Sequence, residues 1–121
     1  MKTDCKEFIG MLFLARHVAH SAHLNTDSYS QHMALGAFYD NIVDLADKFA
    51  EAYMGRYEEK IGKIPDMKVP DGDILKVLKA ILEVIEERRD FIDKNDTPLQ
   101  NIADEIVGEF LSVIYKLKFL K

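Results

Sequence analysis

The chain has 121 residues, 48% of them hydrophobic, and a formal charge of −5; this describes one small globular domain rather than a disordered chain or a set of membrane spans. With 16 Lys and Arg against 21 Asp and Glu and no basic block, DNA binding is not expected, because phosphate contacts rely on clustered cations. The single cysteine, Cys5, excludes an intramolecular disulfide and any zinc site that needs two thiolates from one chain, and the expected setting is the reducing cytoplasm.

Apolar residues recur at three and four and nowhere at a sustained interval of two, so the predicted fold is all-α. The first helix, α1, is expected over residues 3–24. Its start, MKTDCKEFIGMLFLA, has a positive residue and then an apolar run, but Asp4 and Glu7 interrupt the run and no small-residue cleavage pattern follows. A mature helix is expected there, not a signal. The helix is apolar nearly all round (Phe8, Ile9, Met11, Leu12, Phe13, Leu14, Val18), which suggests a second buried contact, most simply a homodimer. A chain of this length buries only about two-thirds of its unfolded surface, so oligomerisation would add useful burial.

All four histidines fall within RHVAHSAHLNTDSYSQH, residues 16–32, at the end of α1 and the start of α2. His17 points away from Ala15, Ala19 and Ala22 and reads as a surface residue. His23 lies at the edge of the core face and His20 farther round beside Ile9 and Phe13, where a packed histidine and a ligand are both open. His32, at the positive end of a helix, is disfavoured as a cation and suits a neutral, ligand-competent imidazole.

The second helix, α2, is expected over residues 28–56, with Leu35, Phe38, Ile42, Leu45, Ala46 and Phe49 on its core face. Opposite them runs a file of carboxylates, Asp40, Asp44, Asp47 and Glu51, spaced 4, 3 and 4. Neighbours in such a file repel by a few tenths of a kcal/mol per pair, and Lys48, placed to reach Asp44 and Glu51, offers partial relief. A solvated acidic face is the plain explanation. Against it stand the flanking Met33, Ala37, Val43 and Met54 and the nearby histidines, since imidazole plus carboxylate suits iron or manganese. Because the file faces away from its own core, a site shared with a second subunit is expected over one inside the bundle.

After α2, the stretch GRYEEKIGKIPDMKVPDG has two prolines and three glycines, and residues 57–72 are expected to cross the bundle. The third helix, α3, is expected over residues 73–94 and the fourth, α4, over residues 98–120. In NDTPLQ, Thr97 reads as the cap, Pro98 as the first helical residue and Gln100 as the partner in a capping box. Short, long and short connections describe a ferritin-like four-helix bundle with one long crossover between α2 and α3; an up-down-up-down bundle is the alternative.

The stretch His20 to Glu51 resembles the metal-binding segment of the mini-ferritins, the DNA-protection-during-starvation (Dps) family. There, a histidine on the first helix is followed by a second histidine and then Asp-x-x-x-Glu on the next helix. Here Asp47 and Glu51, in ADKFAE, follow His32 by 15 and 19 residues, which is the family's spacing. Ungapped counting makes His20 the first histidine, whereas the likeness of HLN to the family's His-Trp-Asn favours His23. The layout of DTPLQNIADEIVGEFLSVIYKLKFL is similar to the family's last helix, and small ferritin-like phage proteins look similar as well.

The chain departs from the family in having Gly36 where an acidic residue is usual, no Trp, and no lysine-rich tail. The resemblance implies Fe(II) binding and oxidation at a two-fold interface, with His20 or His23 and His32 of one subunit facing Asp47 and Glu51 of another. Asp44 is an additional candidate. It further implies a dimer at least and, in a full shell, twelve subunits. Three rivals remain: a MazG-like nucleotide pyrophosphohydrolase using Glu83/Glu86 and Glu87/Asp90, a helical nuclease using Arg16 and His23, and a ferritin-like structural or interaction protein, for example of phage, without metal.

Overall fold

The computed structural model describes residues 2–121, with side chains from Cys5 onward. Four α-helices account for most of it: α1 is Lys2–Asn25, α2 Tyr29–Tyr57, α3 Ile74–Arg88 and α4 Thr97–Phe119, with a 3-10 turn, Arg89–Phe91, after α3. No strand occurs among the described residues.

Local chemistry sets most of the ends. Ser28 caps α2 by accepting from the Gln31 amide at 3.2 Å, and Thr26 donates to Gln31 Oε1 at 2.8 Å, so three residues suffice to reverse the chain between α1 and α2. Asp73 caps α3 by accepting from the Lys76 amide at 3.0 Å. Two ends differ from the sequence expectation. The α-helical part of α3 stops at Arg88 rather than Lys94, because the buried positions Val77, Leu78, Ile81, Leu82 and Ile85 would continue at Arg88 and Arg89. Instead Arg88 donates to Glu7 at 2.7 Å and Arg89 to Gln100 Oε1 at 2.7 Å, and the 3-10 turn brings Phe91 inward.

At α4 the cap is Asp96, not Thr97: Asp96 accepts from the Leu99 amide at 3.2 Å. Arg56 donates to the same carboxylate at 2.8 Å, an ion pair that Thr97 has no charge to make. Gln100 forms no capping box, because its amide nitrogen donates to the Ile92 and Asp93 carbonyls at 3.3 Å.

Cross-helix contacts define the topology. Phe8 meets Phe49 with ring centroids 5.0 Å apart and Phe91 at 5.5 Å; Asn41 donates to Glu109 at 2.7 Å; and the Arg56–Asp96 and Arg89–Asp104 pairs close at 2.8 and 2.9 Å. Each contact joins the start of one helix to the end of another, or the middle to the middle. The neighbouring pairs α1–α2, α2–α4, α4–α3 and α3–α1 are therefore all antiparallel, and the diagonal partners run parallel. Residues 58–73 climb the full length of the bundle to join the end of α2 to the start of α3.

That crossover lies along α1. A Cβ on Gly10 would stand 3.0 Å from both the Pro65 carbonyl oxygen and Met67 Cγ, and Ile61 is buried. The crossover therefore covers part of the apolar excess of α1 that the sequence assigns to a second subunit. Phe13 is left 50% exposed. The core is filled by Phe8, Phe38, Phe49, Phe110, Leu12, Leu35, Ile42, Leu78, Ile81 and Ile85, and among the described residues no polar or charged residue is buried. Among the described residues, no helix is long and apolar enough to cross a membrane.

Candidate functional site

The short α1–α2 turn brings three of the four histidines to one end of the bundle, where they pack against one another. His23 Nδ1 lies 2.7 Å from the His32 carbonyl oxygen and His32 Nδ1 lies 2.8 Å from the His23 carbonyl oxygen. A carbonyl can only accept, so both Nδ1 atoms carry a proton and donate, and in the neutral form of either ring the lone pair is on Nε2. The two rings stack at 3.8 Å and 18°. The His23 ring can lie this close to α2 because position 36 is glycine: a Cβ there would stand 3.0 Å from His23 Cε1 and 3.2 Å from His23 Nδ1.

Tyr39 continues the stack. Its ring meets His23 edge-on at 5.3 Å and lies flat on His20 at 4.3 Å and 17°. His20, His23 and His32 are half-buried in the groove between α1 and α2, while His17 is exposed. Neither Tyr39 nor the packing role of Gly36 is among the sequence candidates. The signal exists, since His32, Gly36, Tyr39 and Val43 follow one another at 4, 3 and 4 and so share one face of α2.

Asp40, Asp44, Asp47 and Glu51 are all exposed, but they border different grooves. Asp47 lines a recess on the α1–α2 face with Phe13, Arg16, Val43 and Ala46. Asp44 turns the other way, toward Asn41, Glu105 and Glu109 at the junction with α4. Glu51 stands beside Met54, Glu58 and Glu59. Lys48 does not relieve Asp44 and Glu51 as expected; α4 packs on that side of α2 and the ammonium lies 3.5 Å from Glu105. Among the described residues, none of the four carboxylates in the file has a hydrogen bond or an ion pair.

Within one chain, then, the imidazoles meet each other but not the carboxylates. Asp47 follows Gly36 by 11 residues and Glu51 by 15, roughly 16 and 22 Å along α2 at a rise of 1.5 Å per residue. No group of three or more His, Cys, Asp or Glu among the described residues stands close enough to hold a metal ion. Of the rival sets, Glu83, Glu86, Glu87 and Asp90 are all exposed and lie on α3 and the turn after it. Arg16 sits in the Asp47 recess, seven residues from His23.

The molecule thus falls in the class of all-α bundles in which two antiparallel hairpins are joined by one long crossover. It belongs to the DUF5856 family, a family of unknown function whose model matches residues 23–117. Over 116 residues, 94% of this chain and 84% of its relative, it is 34% identical to the "Uncharacterized 14.6 kDa protein in mobD-ri intergenic region" of Enterobacteria phage T4. No solved structure matches.

Proposed function

We propose that the protein is a ferritin-like, Dps-like iron-binding homodimer whose metal sites are shared between chains. The observation that carries this reading is the order of features along the α1–α2 face. The histidine stack lies at one end and Asp47 lies toward the other, with Glu51 about one turn beyond it on α2. Between them are Phe13, 50% exposed, and Val43, 38% exposed. A two-fold axis near Val43 would bury these apolar side chains against their copies. Being perpendicular to the helices, it would also set the histidine end of each chain over the carboxylate end of its partner. One patch would then create two equivalent sites.

The donors fit such a site. Nδ1 donation to a carbonyl fixes the tautomer that leaves Nε2 as a ligand, the usual support for a metal-binding histidine. Exposed carboxylates with no cation partner among the described residues supply hard oxygen atoms that favour Fe(III). The single long crossover between α2 and α3 supports the ferritin-like reading. The candidate residues are His20, His23 and His32 from one chain with Asp47, Glu51 and, at the margin, Asp44 from the other. Iron bound there would be a substrate for oxidation by peroxide or O2, while the chain's residues bind it, balance its charge and exclude bulk water.

Fe(II) titration with metal analysis tests this on the wild type and on an Asp47→Ala/Glu51→Ala variant. Iron uptake by the wild type that the variant loses is the expected result. Equal uptake by the two, or none by either, overturns the reading. A second reading, an interaction protein without metal, is supported by the mutual closure of His23 and His32, whose Nδ1–carbonyl bonds and 3.8 Å stack tie the α1–α2 turn together with no ion required.

A further inference from the structure

The C-terminal half of α4 carries an exposed apolar stripe that the proposed α1–α2 dimer leaves open. Leu111, Tyr115 and Phe119 are 55%, 54% and 67% exposed, and the Tyr115 and Phe119 rings lie 5.8 Å apart. They project outward together because they are four residues apart on one helix. Isolated exposed apolar residues are ordinary; three in one file form a patch that needs a partner.

The charges along α4 indicate which partner. After Glu109 the helix has no acid and carries Lys116 and Lys118, with Lys121 just beyond its end, whereas the preceding turns carry Asp104 and Glu105. Lys118 is exposed, its ammonium 5.8 Å from the Phe119 ring centre. Asp104 pairs within the chain with Arg89 at 2.9 Å and Glu105 with Lys48 at 3.5 Å, yet their side chains remain 66% and 55% exposed. Asp104, Gly108, Leu111, Tyr115 and Lys118 follow one another at 4, 3, 4 and 3, the seam spacing of two helices packed side by side.

This seam reads in complementary fashion from either end. Leu111 is midway, with Asp104 seven residues before it and Lys118 seven after. Gly108, where an added Cβ would meet nothing within 4 Å, answers Tyr115 across the centre. We infer that α4 is a second self-association surface, pairing antiparallel with α4 of another copy about a two-fold axis near Leu111. That arrangement places Lys118 of each chain against Asp104 of the other, about 10 Å from the axis at 1.5 Å per residue, and lets each Tyr115 approach the bare backbone at Gly108. An antiparallel contact is the isologous kind, closed by its own symmetry. With the α1–α2 dimer it would build assemblies larger than two chains.

The test uses the full chain, sized by sedimentation and light scattering. Lys118→Asp and Asp104→Lys are each expected to weaken α4 pairing by at least tenfold, and the double variant to restore it. Leu111→Cys is expected to give a covalent dimer on mild oxidation, and Thr97→Cys, at the exposed far end of α4, is not. Phe13→Glu separates this surface from the other: it removes the α1–α2 contact and leaves the Leu111→Cys cross-link in place. An unchanged mass distribution in the single charge variants, no rescue in the double variant, or no cross-link overturns the inference whatever happens at the α1–α2 face. Binding of the Leu111→Cys variant to phosphatidylserine vesicles with loss of its cross-link would also overturn it, because the stripe would then face a membrane surface.

Discussion

Gly36 lies in the interior of α2, where glycine costs roughly 0.5–1 kcal/mol against alanine, and its surroundings explain why it is tolerated. The His23 ring occupies the space a side chain would need, at 3.0 Å. Gly36→Ala is therefore expected to gain none of the helix propensity, to push the ring off His32, and to shift the imidazole signals of both histidines in NMR spectra. Gly55→Ala, where the added Cβ meets nothing, is the control and should stabilise the fold by about 0.5–1 kcal/mol, read as a rise in Tm.

Asp96 gives a second prediction at this scale. The hydrogen bond from Arg56 holds its carboxyl below its ordinary 3.8, helped by the Leu99 amide. A folded value below the unfolded one means that the stabilisation is present above pH 3.8 and is lost as pH falls through the folded value. Asp96→Asn keeps a competent cap but has no charge to lose, so its stability should fall less steeply than the wild type's below that pH in acid denaturation. Cys5, buried with its thiol pushed up to about 12, should resist alkylation until the protein unfolds.

For whole helices, periodicity makes the four elements legible, because the core residues of each recur at three and four. The ends of α3 and α4 are less so. Both depend on where distant charges go, Arg88 to Glu7, Arg89 to Gln100 and Arg56 to Asp96, and no local pattern encodes a partner up to 81 residues away. The same limit applies to α1. Its apolar excess is visible in the sequence, but only the path of the crossover separates the part covered within the chain from Phe13, which stays open. Gly10→Ala would press a Cβ to 3.0 Å from the Pro65 carbonyl oxygen, a backbone atom that cannot swing aside. Overpacking of this kind typically costs about 1–3 kcal/mol, so denaturant unfolding should show a lower midpoint, with hydrogen exchange speeding up first in residues 58–73.

At the scale of the molecule, the candidate site divides into a part that the sequence expresses and a part it does not. The residue types and spacings were readable, and the outward direction of Asp47 and Glu51 follows from helical geometry. What one chain's sequence cannot express is which groups meet, since the histidines and Asp47 lie toward opposite ends of the α1–α2 face while Asp44 and Glu51 border other grooves. If the site is composite, metal binding requires dimerisation. Phe13→Glu replaces an exposed phenylalanine near the centre of that face with a charge and alters none of His20, His23, His32, Asp44, Asp47 or Glu51. Expected is a chain that still folds, with unchanged helical circular dichroism, and that loses both the α1–α2 dimer and iron uptake together. Iron uptake retained after that dimer is lost would place the metal within single chains, and a dimer retained with iron lost would move the interface away from Phe13. The coupling should be reciprocal, so Fe(II) added to the wild type should tighten the dimer by the factor by which dimerisation tightens iron.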